Sequence, residues 1–76
     1  MPVAVSDNTG TILINDGNSV IHPKKEKVIV TAAGNNVRIG WDRVHYVTYP
    51  YTDFTAPTGA DAPTVAAAIT AFLNTE

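Results

Sequence analysis

Turn-forming residues interrupt the first fifty positions so closely that no long element can form there. Asn8-Thr9-Gly10 separates residues 2–6 from 11–15, and Asp16-Gly17 separates 11–15 from 18–22. Asp-Gly between two β-prone runs is among the strongest local hairpin signals, because a type I′ turn needs positive φ at both central positions. A two-residue loop there sets Leu13 opposite Val20 and Ile12 opposite Ile21. Pro23 lacks the donor a ladder needs and is expected to end the run. Lys24-Lys25-Glu26-Lys27 then reads as a solvated corner.

The next two runs, 28–32 and 37–41, flank Ala33-Gly34-Asn35-Asn36 and carry their own check on register. A turn at Gly34-Asn35 pairs Ala32 with Val37, Val30 with Ile39 and Val28 with Trp41. All six side chains then share one face, and Thr31 and Arg38 share the other. A slip of one residue destroys that segregation. A further strand over 43–49, opening with Arg43, alternates less cleanly. Val44, Tyr46 and Thr48 fall on one side, His45, Val47 and Tyr49 on the other. With apolar residues on both sides, such a strand is either covered twice or offers one face to a partner.

Pro50 ends that strand, and residues 50–60, with Pro57 and the hinge Gly59, read as a linker. A helix is expected over 61–74. Asp61 can accept first-turn amides as N-cap, and the missing N–H of Pro63 is harmless in the first turn. Val65, Ile69, Phe72 and Leu73 form one apolar stripe. Its opposite face is mostly alanine and threonine, which leaves room for a second close contact with another copy. At about thirteen residues the helix is marginal alone and must dock on something. The expected fold is α+β: a single domain over 1–76, with an antiparallel β-meander of five or six short strands over 1–49 packed by the C-terminal helix. Its expected core is Val28, Val30, Val37, Ile39, Trp41, Phe54, Val65, Ile69, Phe72 and Leu73.

The chain has 76 residues and no cysteine, so neither disulfides nor thiolate metal sites can brace it. Domains this small usually need a staple, and self-association is the remedy left open. Five basic against seven acidic residues give a formal charge of −2, without the basic excess that nucleic-acid binding requires. The first seven residues lack the basic and apolar regions of a secretory signal, and no apolar run approaches the roughly 20 residues of a membrane span. The chain is therefore expected to be an intact, soluble product, with no nucleic acid, membrane or small-molecule substrate among its partners.

Catalytic and metal patterns are sparse. His22 and His45 have only Asp16, Asp42 and Asp53 as plausible carboxylate companions, at none of the spacings of a zinc site. Packing or surface roles fit them better than a metal shared between symmetric copies. Ser6 and Ser19 lie at turn edges without a nucleophile motif. Gly10, Gly17, Gly34, Gly40 and Gly59 are isolated, each suited to a turn or hinge and none to a phosphate loop. Neither an enzyme nor a cofactor is expected. Five of the six aromatic residues, Trp41, Tyr46, Tyr49, Tyr51 and Phe54, crowd into fourteen positions. Such residues dominate interface hot spots and stacking surfaces, although the plainer reading puts Trp41 and Phe54 in the core. Tyr46, Val47, Tyr49 and Tyr51 are the interface candidates.

From Val37 to Asn74 the residues form a consistent series. A Val37-x-Ile39 strand precedes an aromatic strand ending Tyr49-Pro50-Tyr51-Thr52-Asp53-Phe54. A Pro57-containing linker then leads to an alanine-rich helix ending Ile69-x-x-Phe72-Leu73-Asn74. This half of the chain resembles small structural proteins, and modules of larger ones, encoded by tailed bacteriophages, including the crAss-like group. The resemblance implies a virion component arranged in symmetric copies that binds capsid, neck or tail subunits, and it carries no catalytic residues across. The alternatives are a module binding one protein partner and carbohydrate recognition through the tyrosines.

Overall fold

The computed structural model describes residues 2–42 and 44–74. Seven strands and one helix follow in order: β1 (Val3–Asn8), β2 (Thr11–Asn15), β3 (Val20–Ile21), β4 (Ile29–Ala33), β5 (Asn36–Gly40), β6 (Tyr46–Pro50), β7 (Phe54–Ala56) and α1 (Ala62–Asn74). They form a four-stranded sheet, β3-β2-β1-β7, and a three-stranded sheet, β4-β5-β6. The α+β class, the antiparallel-rich strands and the single C-terminal helix are as expected.

The β1–β2 hairpin turns at Thr9 and Gly10, both at positive φ (35° and 82°), and pairs Val5 with Ile14 and Asp7 with Ile12. Along both strands burial alternates with period two: Val3, Val5, Ile12 and Ile14 point inward. The second hairpin departs from its expected register. Ile14 faces Ile21 and Asn15 faces Val20, so four residues, 16–19, make the turn. Side-chain chemistry overrides the Asp-Gly turn preference. Asp16 Oδ1 accepts the Asn18 and Ser19 amides (2.9 and 2.8 Å), and Asn15 Oδ1 accepts that of Gly17 (2.9 Å). The Ser19 amide, then that of Asn18, holds the Asp16 carboxyl below its ordinary pKa.

Pro23 does not end the pairing either. Its carbonyl accepts the Ile12 amide (3.0 Å), and the Lys25 amide reaches Gly10 O (3.1 Å). The expected solvated corner is a 3₁₀ turn, Lys25–Lys27, whose Lys25 Nζ folds back onto Asp7 Oδ2 at 2.7 Å. The 50–60 segment is also more than a linker. After a 3₁₀ turn over Tyr51–Asp53, β7 pairs in parallel with β1, and Thr55 Oγ1 donates to Val3 O (3.1 Å).

The β4–β5 hairpin has the expected turn, with Gly34 at φ 62°, and pairs Ala32 with Val37 and Val30 with Ile39. Its far end differs: β5 stops at Gly40, and Val28 and Trp41 do not pair. Asp61 caps the helix as expected, its Oδ1 accepting the Thr64 amide at 2.9 Å. α1 lies against β4 and β5. One apolar core results, drawn from both sheets and the helix, with Ile12, Ile69, Val3, Val37 and Val65 its most enclosed large side chains. Of the expected core residues, Val37, Ile39, Phe54, Val65, Ile69 and Leu73 are buried, while Val28, Val30 and Phe72 are half-buried against them.

Two assignments are corrected. Trp41 is 44% exposed, because the chain bends immediately after Gly40 and leaves the strand alternation that would have turned the indole inward. Tyr49, expected at an interface, is only 7% exposed; it follows the inward alternation of β6 and meets Phe54 edge-on at 5.8 Å. Its hydroxyl is buried without a hydrogen bond of sound geometry. Burial, and then the nearby charge of Asp16, push the phenol above its ordinary pKa. Removing a buried, unsatisfied hydroxyl should cost nothing and relieve a desolvation penalty. Tyr49→Phe is expected to raise the unfolding free energy by about 1 kcal/mol. Urea denaturation measures it, and a loss of stability would show that Asp16 bonds the hydroxyl in solution.

Candidate functional site

β5 and β6 are joined across residues 41–45, and the tightness of that connection positions Trp41, Asp42 and His45. A Cβ on Gly40 would collide with the carbonyl oxygen of His45 and would lie 2.5 Å from the Cβ of Tyr46. Only glycine lets β6 return this close. The loop is then fastened from within. Trp41 N–H donates to His45 O (3.1 Å), and Asp42 Oδ1 accepts the amides of Val44 (2.7 Å) and His45 (2.6 Å). The other carboxylate oxygen, Oδ2, meets His45 Nδ1 at 2.8 Å. The His45 amide, then its imidazole, then the Val44 amide lower the Asp42 carboxyl to about 2.

The indole of Trp41 stacks on the His45 ring, with centroids 6.3 Å apart and planes 6° from parallel. On the adjoining sheet face, the Arg38 guanidinium sits 5.0 Å over the Tyr46 ring, within cation–π range. Register puts Ile29, Thr31, Arg38, Gly40, Tyr46 and Thr48 on this outer face and Val30, Val37, Ile39, Val47 and Tyr49 on the inner one. The outer residues and the loop enclose a shallow hollow of about 470 Å³ lined by Ile29, Arg38, Trp41, Asp42 and Tyr46, among others.

Among the described residues six large apolar ones are exposed: Val20, Ile29, Trp41, Val44, Tyr46 and Val47. All but Val20 belong to the three-stranded sheet or its 41–45 loop. Of the interface candidates, the structure exposes Tyr46 on the outer face and Val47 on the inner face at the β6 edge, leaves Tyr51 half-buried beyond β6, and removes Tyr49 to the core. Arg43 lies outside the described residues. Sequence reasoning missed Ile29, Arg38 and Val44. Arg38 was legible, since the hairpin register already put it on the outer face; nothing local marks Ile29 as uncovered.

His45 joins Asp42, whereas Ser6 lies on β1 and Ser19 in the 16–19 turn, both parts of the other sheet. Among the described residues no three histidine or acidic side chains come together as metal ligands, and no helix is long and apolar enough to cross a membrane. Comparison of the chain with protein-family models, with curated proteins and with solved structures finds no match.

Two measurements follow from this loop. Because the folded Asp42 pKa is depressed from 3.8 to about 2, its support of the loop is complete above 3.8 and is lost as pH falls through about 2. A carbon-detected titration should place the Asp42 midpoint near the lower value, and a midpoint at 3.8 would mean that the loop is not capped this way. Gly40→Ala should destabilise the protein by about 1–3 kcal/mol, the usual penalty of an overpacked site. Wild-type stability in a denaturation curve would show that the crossing is loose.

Proposed function

We propose that this chain is a non-enzymatic structural protein that assembles through the open end of its three-stranded sheet, binding copies of itself and neighbouring subunits. One observation carries this reading: among the described residues, five of the six exposed large apolar ones belong to one sheet and its loop. Scattered apolar residues are ordinary on any surface, but an apolar group rimmed by charge and rich in aromatics has the composition of an interface centre. Arg38 and Asp42 supply that rim beside Trp41 and Tyr46. The setting we propose is the virion of a tailed bacteriophage, as a capsid, neck or tail component, and its support is the resemblance over Val37 to Asn74.

A second reading has its own observation. The chain exposes 4570 Å², close to the roughly 4,500 Å² expected of a compact monomer of its mass. Small size alone therefore does not demand a partner copy, and a module that folds alone and binds one different protein accommodates the same surface.

Sedimentation equilibrium on the full chain separates the two. Self-assembly predicts dimers or larger species at micromolar concentration, with the dissociation constant rising at least tenfold in a Tyr46→Ala, Val47→Ser double variant. A wild-type chain that stays monomeric at millimolar concentration contradicts the assembly reading and leaves the single-partner module.

A further inference from the structure

Sheet edges are hazardous because their free N–H and C=O groups template pairing, and proteins blunt them by shortness, charge, proline or cover. Three of the four edges here are blunted. β3 has two residues and β7 three. β4 is backed by α1, and the turn before it brings Lys25 and Glu26 beside it. β6 is different. It has five residues, Tyr46-Val47-Thr48-Tyr49-Pro50, with no charge among them, and among the described residues it pairs with β5 alone.

The hydrogen-bond phase identifies the free groups. Trp41 N–H bonds His45 O, and Tyr51 N–H bonds Asn35 O, at the two ends of the β5–β6 ladder. Alternation between them makes Ile39/Val47 and Val37/Tyr49 the bonded pairs. The N–H and C=O of Tyr46 and Thr48 therefore point away from β5, as does the Pro50 carbonyl, while Pro50 has no N–H to offer.

We infer that β6 pairs antiparallel with β6 of a second copy about a twofold axis at Val47, joining two three-stranded sheets into one of six. This rests on the assembly reading above and names its contact. In this register Tyr46 of one copy faces Thr48 of the other, so every outward N–H meets an outward C=O in a closed, isologous contact. Pro50 falls outside the bonded tract. Centring the axis on Thr48 would instead set Tyr46 against the donorless proline. A longer extended segment from another protein would meet the same defect, which is why a second copy fits the tract better. Val47, exposed on the inner face of the edge, meets its own counterpart across the axis.

The chain contains no cysteine, so single thiols report the register cleanly. Opposed residues at such a non-bonded position lie about 4.5 Å apart between Cα atoms, within disulfide reach. Two Thr48 residues would lie diagonally, at about 7–8 Å, beyond it. Full-length Val47→Cys is expected to form a disulfide dimer at least tenfold faster than Thr48→Cys under mild oxidation. Val47→Lys, which sets two ammonium groups face to face, should raise the dimer dissociation constant at least tenfold. Wild-type dimers in which both cysteines cross-link at equal rates, or neither does, would overturn the β6 pairing while leaving assembly intact. A monomeric wild type at millimolar concentration would overturn both.

Discussion

Everything in this molecule hangs on one shared apolar core, because the chain has no covalent brace to fall back on. Neither sheet could stand alone. The four-stranded sheet contributes Val3, Val5, Ile12 and Ile14, the three-stranded sheet Val37, Ile39 and Tyr49, and the helix Val65, Ile69 and Leu73. Each set is the buried side of its element, so each needs the other two to hide it. The 50–60 segment makes this mutual cover possible. By setting β7 parallel to β1, it carries the chain from one sheet to the other and delivers the helix to β4 and β5.

The same core explains why the candidate surface lies where it does. α1 covers the inner face toward β4 and β5, which leaves β6 at the far side with one uncovered edge. Gly40 then lets β6 return tightly past the end of β5, and Asp42 fixes that return by holding two amides and an imidazole. Trp41 and Tyr46 are thereby held in defined positions on the outside. Ordering such side chains on binding usually opposes association, so a loop fastened beforehand favours it. Fold and surface are thus two consequences of how β5 meets β6.

Local signals made much of the fold legible in the sequence, and it blurred wherever tertiary contacts decided. The β4–β5 register followed from face segregation at Val30, Val37 and Ile39, and the helix followed from Asp61, Pro63 and its apolar stripe. The 16–19 turn misled because Asp16 and Asn15 cap a longer loop with their own side chains, which the Asp-Gly pair does not reveal. β7 was hidden because three residues carry no period, and their pairing with β1 spans about fifty positions. Trp41 and Tyr49 exchanged expected places for one reason: alternation assigns a face only while the strand continues. It continues through Tyr49 and stops one residue before Trp41.

The central claim is that the open end of the three-stranded sheet is a contact between molecules. Amide hydrogen exchange, followed residue by residue from micromolar to millimolar protein, tests it most directly, because it locates whatever association occurs. The account predicts that protection grows with concentration at the Tyr46 and Thr48 amides, while the amides of α1 keep their rates. Exchange that is independent of concentration at all of these sites, or added protection confined to the four-stranded sheet, would contradict it.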